Sequence, residues 1–126
     1  MEQKEGKYLL GKPEEIKGTK GYLVGAFMES AGYSDLQNES LEIAVLDLPV
    51  CDESKPHYHK VMTEINYVIS GKLDLVVDGE ELVAEAGQFF VIKPGTVLQN
   101  PTNDPGTRVV VVKSPSLPDD KYYVES

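Results

Sequence analysis

The sequence predicts an all-β sandwich or barrel, and three observations predict it. Apolar residues fall in strand-length runs rich in Val, Ile, Tyr and Phe: Tyr22 to Met28, Leu41 to Leu48, Ile65 to Ile69, Leu73 to Val77, Phe89 to Ile92 and Val109 to Val112. Turn-forming residues separate these runs at short intervals, among them Gly32, Pro49, Pro56, Ser70-Gly71, Asp78-Gly79, Ala86-Gly87, Pro94-Gly95 and Asp104-Pro105-Gly106. No segment carries a helical period of useful length.

Taken in order, the first 20 or so residues offer few apolar positions and read as an arm or edge strand. Pro13 to Lys17 suits one helical turn, with Gly18 ending it. The middle of the chain reads as a run of hairpins, because Ser70-Gly71 and Asp78-Gly79 tolerate the positive φ that tight primed turns need. Leu73 to Asp78 is then one strand, and Glu81-Leu82-Val83-Ala84-Glu85 returns with one wet face. There is no internal repeat and no low-complexity linker, and 126 residues are expected to make one domain.

Composition narrows the function classes. Twenty-one acidic residues against 12 basic ones give a net charge of −9, and Arg108 is the single arginine. Nucleic-acid binding depends on cationic side chains that release counterions, so no nucleic-acid partner is expected. No apolar run approaches the ~20 residues of a membrane span, and Met1 to Glu5 lacks the pattern of a secretory leader. The expected setting is therefore the cytoplasm, with no membrane partner. Cys51, alone of its kind, cannot form an intramolecular disulfide and reads as a structural thiol near a turn.

The one chemically pointed segment is His57-Tyr58-His59 followed by Glu64, and it contains both histidines of the chain. Residues i and i+2 of a strand share a face, so His57 and His59 project side by side while Tyr58 points away. Glu64 lies an odd number of residues beyond His59. Lys60 to Thr63 must therefore contain a turn or bulge if Glu64 is to face the histidines. Two imidazoles and a carboxylate suit zinc hydrolases and non-haem Fe(II) oxygenases alike. The plainer reading is a hydrogen-bonded trio on a solvated edge.

His57-Tyr58-His59, four residues, Glu64, six residues and Gly71 resemble the first motif of the cupin superfamily. Gly87, six residues on to Pro94-Gly95, resembles the second, and Ser114 to Tyr123 is similar to the closing segment of small single-domain members. The resemblance covers residues 40 to 126. It implies a double-stranded β-helix, or jelly-roll barrel, of two antiparallel sheets, a homodimer, and a site in the barrel mouth. It also implies that His57, His59 and Glu64 are metal ligands and catalytic residues for a divalent ion: Zn²⁺, Fe²⁺, Mn²⁺ or Ni²⁺.

The pattern also departs from the family's. The fourth ligand should be a histidine three residues after Gly95, where this chain has Leu98; Cys51 and Lys93 replace a motif glycine and proline. Three protein ligands leave positions for water or substrate, but they also bind an ion less tightly than four. Gln99 or Asn100 could lend an oxygen, although Gln99 alternates to the other face. Asn66 shares the face of Glu64, Tyr58 and Tyr67 read as sheet packing, and Lys93 as a solvated edge lysine. Ser70 and Ser114 sit in turn contexts with no histidine near in sequence. Three functions follow: a metal-dependent isomerase or oxygenase acting on a small sugar or carboxylate, a metal-independent sugar isomerase or epimerase with a histidine base, and a non-catalytic binding barrel.

Overall fold

The computed structural model describes residues 1–48 and 55–124. Among the described residues, strands β1 (Glu2–Lys4) and β2 (Tyr8–Leu10) pair only with each other, and a 3-10 turn at Pro13–Glu15 follows. Then come β3 (Tyr22–Val24), a second 3-10 turn at Ser34–Leu36, β4 (Glu42–Asp47), β5 (His57–Tyr58), β6 (Thr63–Ser70), β7 (Lys72–Val77) and β8 (Glu80–Glu85). The chain ends with β9 (Phe89–Ile92), β10 (Leu98–Asn103), β11 (Arg108–Ser114) and β12 (Tyr122–Tyr123). One five-stranded sheet runs β3-β4-β11-β6-β9 and the other β12-β5-β10-β7-β8. All pairings within the two sheets are antiparallel. Distant segments interleave as neighbours, the arrangement of a jelly-roll barrel, so the all-β expectation of two antiparallel sheets holds.

Two expectations need correction. Asp78-Gly79 does close a hairpin, β7–β8, with φ of 46° and 85°, the doubly positive pair of a type I′ turn. Ser70-Gly71 does not: β6 and β7 lie in different sheets, so this turn carries the chain from one wall of the barrel to the other. Glycine is required there because φ is +74° and an added Cβ would collide with the Thr107 side chain and backbone. The run Tyr22 to Met28 is strand only to Val24; beyond it the chain turns, with Met28 fully buried and accepting the backbone N–H groups of Ala31 and Tyr33. No helix among the described residues is long and apolar enough to cross a membrane.

The core lies between the sheets, where Ala44, Val68, Leu73, Leu75, Ala84, Ile92, Leu98, Val109 and Val111 pack together. β6 reverses the usual amphipathic order. Glu64 and Asn66 point inward and are 5% exposed each, whereas Ile65, Tyr67 and Ile69 point outward at 39%, 47% and 44%. A buried polar residue and an exposed apolar one are the informative cases, and here one strand supplies both. The register extends the pattern across the sheet. One inner row reads Glu42, Lys113, Glu64, Ile92, and two outer rows read Ile43, Val112, Ile65, Val91 and Val45, Val110, Tyr67, Phe89.

Candidate functional site

β5 is only two residues long and sits between β10 and β12, which hold its backbone on both edges. His57 and His59 enter the barrel from it, 2% and 4% exposed, with ring centroids 5.8 Å apart. Tyr58 between them stacks on Tyr122 at 5.5 Å. The turn required between His59 and Glu64 is present, and Asp120 holds it. The Asp120 carboxylate accepts the backbone N–H groups of Lys60, Val61 and Met62 at 2.8–2.9 Å. Glu64 then opens β6 facing the histidines, and one ligand atom from each of His57, His59 and Glu64 lies within 4.8 Å of the others.

Hydrogen bonds fix the chemistry of the rings. His57 Nδ1 lies 2.9 Å from the Lys55 carbonyl oxygen, and His59 Nδ1 bonds the carbonyl of Asp120. A carbonyl only accepts, so each Nδ1 carries the proton and each neutral ring keeps its lone pair on Nε2. His59 Nε2, however, lies 3.1 Å from Glu64 Oε1, and Glu64 Oε2 accepts from Asn66 Nδ2 at 2.8 Å. A neutral His59 would place a lone pair against a carboxylate. Either a second proton or a cation between the two groups removes that conflict, and both are arrangements this trio can adopt.

The electrostatics agree. Burial works against charge on His59, but its bonds to Glu64 and to the Asp120 carbonyl outweigh it, and its pKa lies above the ordinary 6.5. Burial likewise pushes Glu64 upward, yet His59, Lys113 and Asn66 hold its carboxyl at about 2. Lys113, on β11, is desolvated but is held charged by its buried surroundings, Tyr22, Glu64 and Glu42. Its Nζ donates to the Tyr22 hydroxyl at 3.2 Å and lies 4.0 Å from Glu42 Oε1. Ser116 Oγ donates to the other Glu42 oxygen at 2.8 Å.

Two spaces meet at this cluster. An interior cavity of about 40 Å³, with room for a few waters at most, is bordered by Glu64, Asn66, Leu98, Asn100, Tyr22 and Lys113. A cleft of about 610 Å³ opens outside it and includes Tyr22, Glu42, His59, Met62 and Lys113 in its walls. The volume suits a small ligand. Leu98 is 4% exposed and is the β10 partner of His57. Asn100 points to the same interior at 9% exposed, while Gln99 is half-buried.

Other singled-out residues lie away from this cluster. Tyr67 is on the outer face and Lys93 is exposed. Ser70 Oγ and Ser114 Oγ donate to the carbonyls of Gly106 and Ser40 at 2.8 Å, tying neighbouring segments together. Cys51 lies outside the described residues. Tyr22, Glu42, Lys113 and Asp120 were missed by reading the sequence. Lys113 had a signal, since it continues the inward alternation of Val109 and Val111. Asp120 had none, being 61 residues from the ring it orients.

Residues 44–112 match the family described as Cupin domain. No curated protein matches the chain significantly in sequence. Among solved structures, the chain is similar to an uncharacterized conserved protein with a double-stranded beta-helix domain from Klebsiella pneumoniae. That pair shares 17% identity and a TM-score of 0.68, covering 100% of this chain and 99% of the other. Streptomyces PAC13 with uridine, in a variant form, aligns at 16% identity and a TM-score of 0.67, covering 97% and 92%; Pac13 is described as a nucleoside dehydratase. KdgF from Halomonas aligns at 23% identity and a TM-score of 0.58, covering 65% and 74%. Likeness at these identities is one of fold.

Proposed function

The chain belongs to the cupin family, and on that premise we propose that His57, His59 and Glu64 hold a divalent metal ion against which a small polar molecule, a sugar or carboxylate, is bound and converted. The observation that carries this reading is the orientation of the two rings. Both Nδ1 atoms face backbone carbonyls, which is how metal-ligating histidines are commonly held so that Nε2 is the donor. The donor set of two imidazoles and a carboxylate fits Zn²⁺, Fe²⁺, Mn²⁺ or Ni²⁺. When bound, such an ion supplies a Lewis acid that polarises an oxygen of the ligand. Asn66 orients the Glu64 carboxylate, and Asp120 orients His59.

The test is elemental analysis of purified protein after incubation with each of the four ions. About one equivalent per chain is expected, and His59→Ala or Glu64→Gln should weaken metal affinity by about 10- to 100-fold or more. A wild-type protein that takes up none of the four ions sinks the reading. The second reading, metal-independent acid–base chemistry, is favoured by the two acceptors facing the His59 ring, which make an imidazolium a proton donor beside the cleft. It takes over if no ion binds and His59→Gln abolishes turnover in a folded protein; changed affinity alone would indicate a binding barrel. The proposal includes a homodimer in which the outer apolar face of the β4-β11-β6-β9 sheet meets the same face of a second copy.

A further inference from the structure

The geometry points to a carboxylate-anchoring subsite at Lys113 and Tyr22, which makes the ligand of the cleft a small organic monoanion. The inference takes its location from the site proposed above but does not depend on a bound metal. Three observations carry it.

First, Lys113 is short of hydrogen-bond acceptors among the described residues. Its side chain is 14% exposed, and Glu42 at 4.0 Å and Glu64 across the strand pair hold its charge, yet its three N–H groups make one hydrogen bond, to Tyr22. Buried charged donors are normally satisfied, and one that is not marks the place of an acceptor. Second, Tyr22 and Lys113 are the residues of this polar cluster that border both the interior cavity and the outer cleft. A group reaching from the cleft toward the interior cavity passes between spaces that these two residues share. Lys113 donates to the Tyr22 oxygen, so the phenolic hydrogen remains to be donated elsewhere.

Third, charge is segregated. The chain carries −9, yet among the described residues the cleft is bordered by Lys20, Lys113 and Lys121 and by one carboxylate, Glu42. A local excess of cations in an acidic protein raises the concentration of anions at that cleft and steers them into it. The chemistry favours a carboxylate over a phosphate. The one arginine, Arg108, is engaged with Asp47 and Glu14 on the other side of its strand, leaving no bidentate clamp at the cleft. Glu42, 4.0 Å from the ammonium, also repels a dianion more strongly than a monoanion.

The test uses full-length protein stripped of metal with a chelator, titrated by ligand-observed NMR with acetate, L-lactate and D-gluconate, each against its neutral amide, and with inorganic phosphate. At least one carboxylate should bind saturably and about tenfold or more tightly than its amide. Lys113→Met should erase that preference, Lys113→Arg should restore most of it, and Lys93→Met, on the exposed edge, should leave it intact. Should Lys113→Met fail to fold, Tyr22→Phe decides: a preference reduced about threefold or more supports the subsite, and an unchanged one overturns it. The inference also fails if Lys113→Met keeps the preference or if phosphate binds as tightly as the carboxylate. It fails equally if no carboxylate binds below about 50 mM. Because the protein is metal-free throughout, such a failure leaves the metal reading standing, and a protein that never takes up metal leaves this result standing.

Discussion

Asp120 joins two parts of the site through one residue. Its carboxylate caps three consecutive backbone N–H groups of the turn that brings Glu64 round, and its carbonyl fixes the proton of His59. Burial pushes the carboxyl pKa up, but the N–H groups of Met62, Lys60 and Val61 bring it below the ordinary 3.8. A carboxylate lowered in this way stabilises the fold above its unfolded pKa, and the stabilisation is lost as pH falls through the folded value. Asp120→Asn should therefore cost about 2–3 kcal/mol at pH 7, read from denaturant unfolding, and the gap to wild type should shrink toward pH 3. A gap independent of pH would mean that the charge is not what holds the turn. The same residue marks how far the site was legible. His57, His59 and Glu64 were readable because strand alternation is local and an odd spacing demands a turn. What completes them comes from far along the chain: Lys113 continues the inward alternation of β11, but nothing local pairs it with the histidines, and Asp120, in the segment before β12, sits in no pattern that short-range spacing reveals.

Among the elements, the two glycine turns flanking β7 separate what local chemistry can and cannot say. Asp78-Gly79 is a hairpin, and its residue pair announces it, because the turn is closed by its own two strands. Ser70-Gly71 has the same signature, yet it changes sheets, a fact fixed by β11 and β9 flanking β6 rather than by the turn itself. Gly71→Ala must place a Cβ 2.6 Å from the Thr107 backbone as well as hold φ at +74°, whereas Gly79→Ala meets nothing within 4 Å. Urea unfolding should show a loss of about 3 kcal/mol or more for Gly71→Ala against about 1 kcal/mol for Gly79→Ala. Equal losses would mean that only the backbone conformation matters at both. β10 was the strand least visible in the sequence: Pro101 lies within it, and its ladder with β7 shifts register between Gln99 and Thr102. The fold class survived because seven or so ordinary strands outvote one irregular strand, and the paired motifs bracket it.

At the scale of the whole molecule, the outer face of the β4-β11-β6-β9 sheet is the surface on which the proposed homodimer rests. Its two central rows hold eight side chains with no charge among them, in a protein of net charge −9. Ile65, Tyr67, Ile69, Phe89 and Val91 together expose on the order of 500 Å² of mainly apolar surface, at the large end for a monomer's patch. The half-buried Ile43, Val45, Val110 and Val112 extend it toward the ~800 Å² per partner of a stable interface, with the Asp47–Arg108 ion pair at its margin. An uncharged face suits a second copy, since elsewhere two such acidic surfaces repel. Light scattering coupled to size-exclusion chromatography should give the two-chain mass for wild type at micromolar concentration and the one-chain mass for folded Phe89→Lys. A wild-type monomer removes the interface.

The bond from His59 to the carbonyl of Asp120 also sets an order of events. Both histidines and Glu64 have been synthesised by residue 64, but the group that fixes the His59 tautomer arrives 56 positions later, with the segment that lays β12 against β5. Until then His59 has no Asp120 carbonyl to choose its ring proton, and the turn before Glu64 has no cap. The motif is thus written near the middle of the chain, while the contacts that orient it are supplied by a segment 56 residues further on.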